Sequence, residues 1–222
     1  QIEGGSYGSF KATTSQSFVG ESHTTRVSAS TASSDGFKRN TDFTTNNVNL
    51  SSAIKTSSDG LLNIQGGYTD QAFGAQDFYS TNFPEQFEKT QTLFANISYE
   101  SGDRLKIKRE LYWRRNWDEF QLYRESDDFY TFQNGLFISS YDTAAAWYGG
   151  HNYHRSDMAG GKLSMFFKSA LGSTAMNAEY RYEGVVSNVL GQDLEGPIEI
   201  AGSRGEYTNG AKMDCYNEMI LI

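Results

Sequence analysis

Along most of the chain an apolar residue recurs at every second position, with a polar neighbour between. Phe10, Ala12, Thr14 and Phe18 share one parity. Val27 and Ala29 alternate with Arg26, Ser28 and Ser30, and Val48, Leu50 and Ile54 with Asn47, Asn49 and Lys55. The pattern continues through Leu62, Ile64 and Tyr68, then Leu93, Ala95, Ile97 and Tyr99, then Leu105, Ile107, Leu111 and Trp113. Leu163, Met165 and Phe167 follow, then Met176, Ala178, Tyr180 and Tyr182, and a less regular run from Lys212 to Ile222. A period of two places each set on one face of a β-strand, whereas the spacing of three and four that marks a helix occurs only in short stretches. The expected fold is all-β and antiparallel, with about nine strands counted from Gly8.

The connections sharpen this picture. Turns at 19–22, 57–60, 101–103 and 169–173 are tight, and those at 33–42, 70–89, 116–155 and 185–210 are long. Short and long alternate, so in an up-and-down sheet one end is trimmed and the other elaborated. The strands run for about 9 to 14 residues, longer than the usual 5 to 6 of soluble sheets and close to the 9–11 that cross a bilayer. These features describe a transmembrane β-barrel of outer-membrane type, with short periplasmic turns and long extracellular loops. Hydrocarbon leaves backbone N–H and C=O groups unsatisfied unless strands pair all round, so outward side chains must be apolar while inward ones meet a wet lumen.

Composition fits that division. The 222 residues carry 19 basic and 27 acidic side chains, a formal charge of −8, and 15 Phe, 14 Tyr and 3 Trp in a chain of mean hydropathy −0.59. A polar lumen face explains the negative hydropathy. Phe10, Phe18, Tyr68, Tyr99, Trp113 and Tyr182 are expected at or near strand ends, where interfacial rings belong. The acidic balance argues against a nucleic-acid partner. The single cysteine, Cys215, excludes an internal disulfide framework and a cysteine-ligated zinc site. No run approaches a transmembrane helix in length. One residue conflicts with the pattern: Arg109 falls on the apolar parity near mid-strand, where a lipid-facing Arg costs roughly 2–4 kcal/mol unless a β-bulge or register shift turns it inward. Residues 1–5 are too few to span, and an odd strand count departs from the even number usual in single-chain barrels. Residues 1–222 are therefore expected to be an incomplete part of one larger barrel domain.

Several segments carry a family resemblance. They are Gly4-Gly5-Ser6-Tyr7-Gly8, Ser34-Asp35-Gly36-Phe37-Lys38-Arg39-Asn40-Thr41-Asp42, and Leu111-Tyr112-Trp113-Arg114-Arg115-Asn116-Trp117-Asp118-Glu119-Phe120. Asn152-Tyr153-His154-Arg155-Ser156-Asp157 and the stretch from Leu190-Gly191-Gln192 to Gly205-Glu206-Tyr207 complete the set, in order over essentially the whole chain. The chain resembles the barrel of TonB-dependent outer-membrane receptors, in the Bacteroidetes-like branch related to cobalamin receptors. The resemblance implies a barrel of about 22 strands around an N-terminal plug, in the outer membrane of a Gram-negative bacterium. It also implies uptake of a small-molecule nutrient (cobalamin, siderophore, haem or glycan), with TonB acting through a plug domain that these residues do not contain.

Candidate substrate contacts lie in the loops and at the rim: Arg114, Trp117, Phe129, Tyr130, Trp147, Tyr148, His151 and Tyr153. The aromatics between 129 and 153 offer a stacking surface for a flat or sugar-like ligand or a docking face for a surface lipoprotein. Alternatively they form the loop's own core, which a connection of this length requires. His151 and His154 with Asp142 and Asp157 could hold a transition metal, and Asp118, Glu119, Asp127 and Asp128 could hold calcium, but neither spacing matches a known site and no cofactor is expected. Trp113 to Trp117 also fits an interfacial girdle with cation–π contacts. No Gly-x-Ser-x-Gly or His-Glu-x-x-His is present, and with three histidines in all no catalytic constellation forms, so the chain is not expected to be an enzyme. Two other classes stay open: a complete small outer-membrane barrel acting as adhesin or enzyme, and a soluble carbohydrate-binding β-sandwich.

Overall fold

A computed structural model describes residues 1–56, 59–169, 172–193, 197–199, 206–208 and 211–221, with the backbone alone beyond residue 192. Fifteen strands form among them: β1 (Ile2–Gly4), β2 (Phe10–Val19), β3 (His23–Ser34), β4 (Phe43–Lys55), β5 (Leu61–Gly74), β6 (Phe87–Ser101), β7 (Leu105–Gln121), β8 (Thr131–Gln133), β9 (Leu136–Ile138), β10 (Asn152–Ser169), β11 (Gly172–Val189), β12 (Gln192–Asp193), β13 (Pro197–Glu199), β14 (Glu206–Thr208) and β15 (Ala211–Leu221). Every segment with a period of two becomes a strand because a strand alone puts its apolar set on one side. Nine of the strands are long, β2 to β7, β10, β11 and β15, as the alternation predicts.

All but two strands join one antiparallel sheet of thirteen, in the order β1-β2-β3-β4-β5-β6-β7-β10-β11-β15-β14-β13, with β12 beside β11; β8 and β9 form a separate hairpin. The sheet is open. β1 and β13 lie at opposite edges and no pairing joins them, so the described residues do not close a barrel.

Pairing is continuous from strand to strand, and the rows it creates divide the residues cleanly between faces. On one face Val27 lies opposite Leu50, Tyr68 opposite Leu93, Ile97 opposite Leu111, and Ala95 opposite Trp113 and then Ala159. On the other, Gln65, Asn96 and Tyr112 form one row, and Asn63, Ser98, Glu110, Lys162 and Glu179 another. The burial runs opposite to that of a water-soluble sheet. Ser98 and Ser164 are 5 % exposed, whereas their chain neighbours Ile97 and Leu163 are 43 % and 40 % exposed, and Leu111 is 64 % exposed. Side chains crowd on the inside of a bend and spread on its outside, so the sheet curls with its polar face concave and its apolar face convex. Among the described residues no second sheet covers the apolar face.

Short connections mark one end of the sheet and the longest excursions the other. Gly20 N–H donates to the His23 carbonyl at 2.8 Å, closing β2 to β3. Gly102 closes β6 to β7 at φ +97°, a left-handed conformation that a side chain resists, and a Cβ there would lie 2.1 Å from the Leu105 carbonyl oxygen. At the opposite end run 35–42, 75–86 and 122–151, together with short connections at Leu190–Gly191 and at Gly5–Ser9, where Gly5 N–H donates to the Ser9 carbonyl at 2.8 Å.

Two expectations change. β6, β7, β10 and β11 reach 15, 17, 18 and 18 residues, beyond the expected 9 to 14. The predicted loop at 116–155 therefore begins and ends within strands, and Tyr68, Trp113 and Tyr182 sit in mid-strand at the upper limit of the apolar band. The alternation stops at that limit because charged residues follow, but ladder pairing continues past it. Arg109 is not turned inward either. It pairs with Tyr99 and Leu163 in an unbroken register, so neither a bulge nor a slip moves it off the apolar face.

Candidate functional site

The concave face carries a continuous polar lattice. Asn96 donates to Glu110 at 3.0 Å, Lys108 pairs with the same carboxylate at 2.8 Å, and Thr92 donates to Asn116 at 2.6 Å. Tyr112 reaches across β10 to donate to Glu179 on β11 at 2.5 Å. It passes over Gly160, where a Cβ would stand 2.4 Å from the Tyr112 hydroxyl, so glycine is what admits the ring. Arg114 lies on this face between Phe94 and Met158, exposed.

Where the concave face meets the long loops, the segment 75–86 leans over it. Tyr79 donates its hydroxyl to Glu88, stacks edge-on with Phe120 at 5.3 Å and with Phe78 at 4.7 Å, and Phe78 and Tyr79 remain exposed. The bond to Glu88 raises the Tyr79 pKa to about 12, with burial adding to it, so the phenol stays protonated. One row below, Asp118 stands opposite His154, and His154 Nδ1 lies 2.6 Å from the Ser187 hydroxyl. Rings and carboxylates thus share one polar mouth.

Three loops are fastened together above that mouth. Arg124, after β7, grips Asp42 through two nitrogens at 2.5 and 2.8 Å and also donates to the Asn40 side-chain carbonyl at 2.9 Å. Asn40 is buried and donates to the backbone carbonyls of Pro84 and Gln86 at 3.2 and 2.7 Å. Arg39 pairs with Glu85 at 2.8 Å and donates to the Asp128 carbonyl and the Tyr141 hydroxyl. Both guanidiniums pack on Phe129, at 4.2 Å for Arg39 and 4.7 Å for Arg124. Residues 35–42, 75–86 and 122–151 therefore act as one pre-arranged rim. Within the last of these, Tyr130, Phe137, Ala144 and Tyr148 make a small core that Leu122, Tyr123, Phe129 and Leu190 complete.

No model of a known protein family matches the chain, and no curated protein does.

The structure sorts the residues that the sequence singles out. Tyr130, Tyr148 and His151 are buried in the core of the 122–151 excursion, with Tyr148 only 1 % exposed. Phe129 is held between two arginines, and Trp147 is exposed at the rim. Trp117 and Tyr153 are strand residues, both on the face that carries the apolar band, whereas Arg114 faces the concave side. The eight candidates thus do not gather in one place. Leu122 N–H donates to the Tyr148 hydroxyl at 3.0 Å, Tyr148 donates to His151 Nδ1 at 2.7 Å, and Nε2 donates to Glu125 at 3.0 Å. With both ring nitrogens of His151 engaged, and His154 turned to Ser187, the two imidazoles share no metal. Among the described residues no three His, Cys, Asp or Glu side chains are placed to hold an ion. Cys215 and most of the stretch from 190 to 207 lie outside the residues whose side chains are described.

Sequence reasoning passed over Tyr79, Glu88 and Phe120. Nothing in an alternating pattern signals that a loop will fold back over one face. The pairing of Asp42 with Arg124 spans 82 residues and was equally invisible.

Proposed function

We propose that the chain is a wall segment of an outer-membrane receptor that takes up a small-molecule nutrient with energy from TonB. Its concave face lines the lumen and its rim meets the nutrient from outside. The observation that carries this reading is the inverted burial: apolar side chains exposed on the convex face, small polar ones buried on the concave face. Water penalises such a surface, since large contiguous apolar patches on soluble monomers mark interaction sites, whereas a bilayer rewards it. The apolar set on β7, from Leu105 to Trp113, and that on β10, from Ala159 to Phe167, each span nine residues, the length that crosses hydrocarbon when tilted. Arg109 then lies about 13 Å along the strand from Leu105 at ~3.3 Å per residue, near enough for its long side chain to reach the turn-side interface.

On this reading the open edges meet further strands of a barrel of about 22, and TonB acts through a plug domain outside these residues. Tyr79, Phe120 and the exposed Trp147 are the rings that a nutrient meets first, and the fastened rim is where a surface lipoprotein would dock. The nutrient itself, whether cobalamin, siderophore, haem or glycan, is left to experiment. Among the described residues no second sheet packs on the large one, as a soluble β-sandwich would need, and its two edges do not pair, as a complete small barrel would need.

Single cysteines at Leu111 and at Asn96, in a Cys215→Ser background, test the reading in isolated outer membranes. Leu111→Cys should resist a water-soluble maleimide and respond to a lipid-soluble quencher, and Asn96→Cys should do the reverse. Equal aqueous reactivity at both positions refutes the membrane reading. Uptake that persists without TonB refutes the energy coupling alone.

A further inference from the structure

At the end of the sheet with the short connections, one corner carries a charge opposite to that of the chain as a whole. The formal charge overall is −8, yet Arg104, Lys106 and Lys168 meet there around an open cleft of about 910 Å³, with Asp103 the only carboxylate among the described residues that line it. Register brings them together. Leu105–Phe167 is the last ladder pair between β7 and β10, and Arg104 and Lys168 each come one residue beyond it. One pair earlier, Lys106 faces Phe166, and Phe166 faces Ala175 on β11. By alternation this row lies on the concave side with Glu110 and Lys162, and so does Lys168, two residues from Phe166. Phe167 and Thr174, of the opposite parity, also border the cleft, so it opens at the end of the sheet and not on one face alone.

The groups in the cleft are unevenly committed. Lys106 pairs with Glu100 at 3.0 Å while half of its side chain stays exposed. Arg104 and Lys168 are exposed and form no ion pair among the described residues. Phe166 is 43 % exposed, a bare ring on the polar side of the sheet. Uncommitted cations hold phosphate or carboxylate oxygens through charge-assisted hydrogen bonds. A bare ring beside them favours a flat apolar body that packs against its face or edge.

We infer that this cleft binds a small organic anion, with its phosphate or carboxylate group on Arg104 and Lys168 and its flat apolar body against Phe166. Lys106, already shared with Glu100, borders the site. Binding does not depend on the membrane reading. Only the place of the cleft, at the inner end of the lumen, rests on that reading.

The test is isothermal titration calorimetry of the chain in detergent, with protein-free micelles subtracted. The probes are 1-naphthyl phosphate, inorganic phosphate, the neutral 1-naphthyl glucoside and a tetraglutamate peptide. 1-Naphthyl phosphate should bind roughly 10-fold more tightly than the glucoside and several-fold more tightly than inorganic phosphate. Replacing both cations, Arg104→Ala with Lys168→Ala, should weaken it roughly 10-fold or more. Arg104→Lys with Lys168→Arg should keep it, which separates charge from misfolding. Phe166→Ala should bring naphthyl phosphate down to the level of inorganic phosphate and leave inorganic phosphate unchanged. Equal affinity for the phosphate and the glucoside, or binding that survives the double alanine change, overturns the site. Tighter binding of tetraglutamate than of naphthyl phosphate overturns it in favour of an acidic protein segment. Binding as expected, together with equal aqueous labelling at Leu111→Cys and Asn96→Cys, keeps the site and refutes the membrane reading alone.

Discussion

Asp42 and Arg124 show how much a single pair can carry. The guanidinium beside Asp42 holds its carboxyl below the ordinary carboxylate range, against the opposing effect of burial. A carboxyl with a lowered folded pKa contributes its full stabilisation above the unfolded value of about 3.9, and the contribution drains away as pH falls through the folded value. The rim should therefore hold from neutral pH down to about 4 and loosen below that, as amide hydrogen exchange across 122–151 would record. Arg124→Ala should open the same segment at neutral pH. Asp42 is 36 % exposed, so the loss is about 1–2 kcal/mol rather than the larger cost of breaking a fully buried pair, equivalent to proteolytic cutting faster by about 5- to 30-fold. Phe129→Ala should act in the same direction by removing the surface on which both arginines rest. Trp147→Ala should leave the rim intact and, on the proposed reading, lower nutrient capture.

Among the strands, β7 was the most legible and also the most misleading. Its alternation from Leu105 to Trp113 announced one apolar and one polar face, and both are there. The upper part, Asn116 to Gln121, read as loop because hydrophobicity alternates only where one side meets an apolar medium, while backbone pairing has no such requirement. The site was legible in composition but not in placement. Aromatics between 129 and 153 were recognisable as a set, yet whether Tyr148 points inward or Trp147 outward depends on a fold of the loop that local sequence does not encode. A lipid-facing β7 also makes opposite forecasts for adjacent residues. Leu111→Arg should cost about 2–4 kcal/mol of stability in a bilayer, and Tyr112→Ser far less at the lipid boundary. Arg109→Leu should stabilise by a similar or smaller amount, since snorkelling already relieves part of the penalty. Urea unfolding in phospholipid vesicles measures all three.

At the scale of the molecule, the unpaired edges at β1 and β13 are the governing feature. An exposed edge offers a row of free N–H and C=O groups to any strand that reaches it. Residues 1–222 expressed alone should associate through those edges, and should lack the heat-sensitive compact band that closed barrels give on gel electrophoresis. A compact monomer in that assay would show that the edges find each other. From β1 to β7 every neighbour in the sheet is also the neighbour in sequence, and β7, β10, β11 and β15 continue in chain order with only loop strands between. Contacts of that kind close short loops, which keeps the entropy of each pairing low and lets one hairpin template the next. The same arrangement makes the fold modular: a strand pair can be gained or lost at a rim connection without disturbing the register on either side, so the width of such a wall can change while its thickness stays fixed.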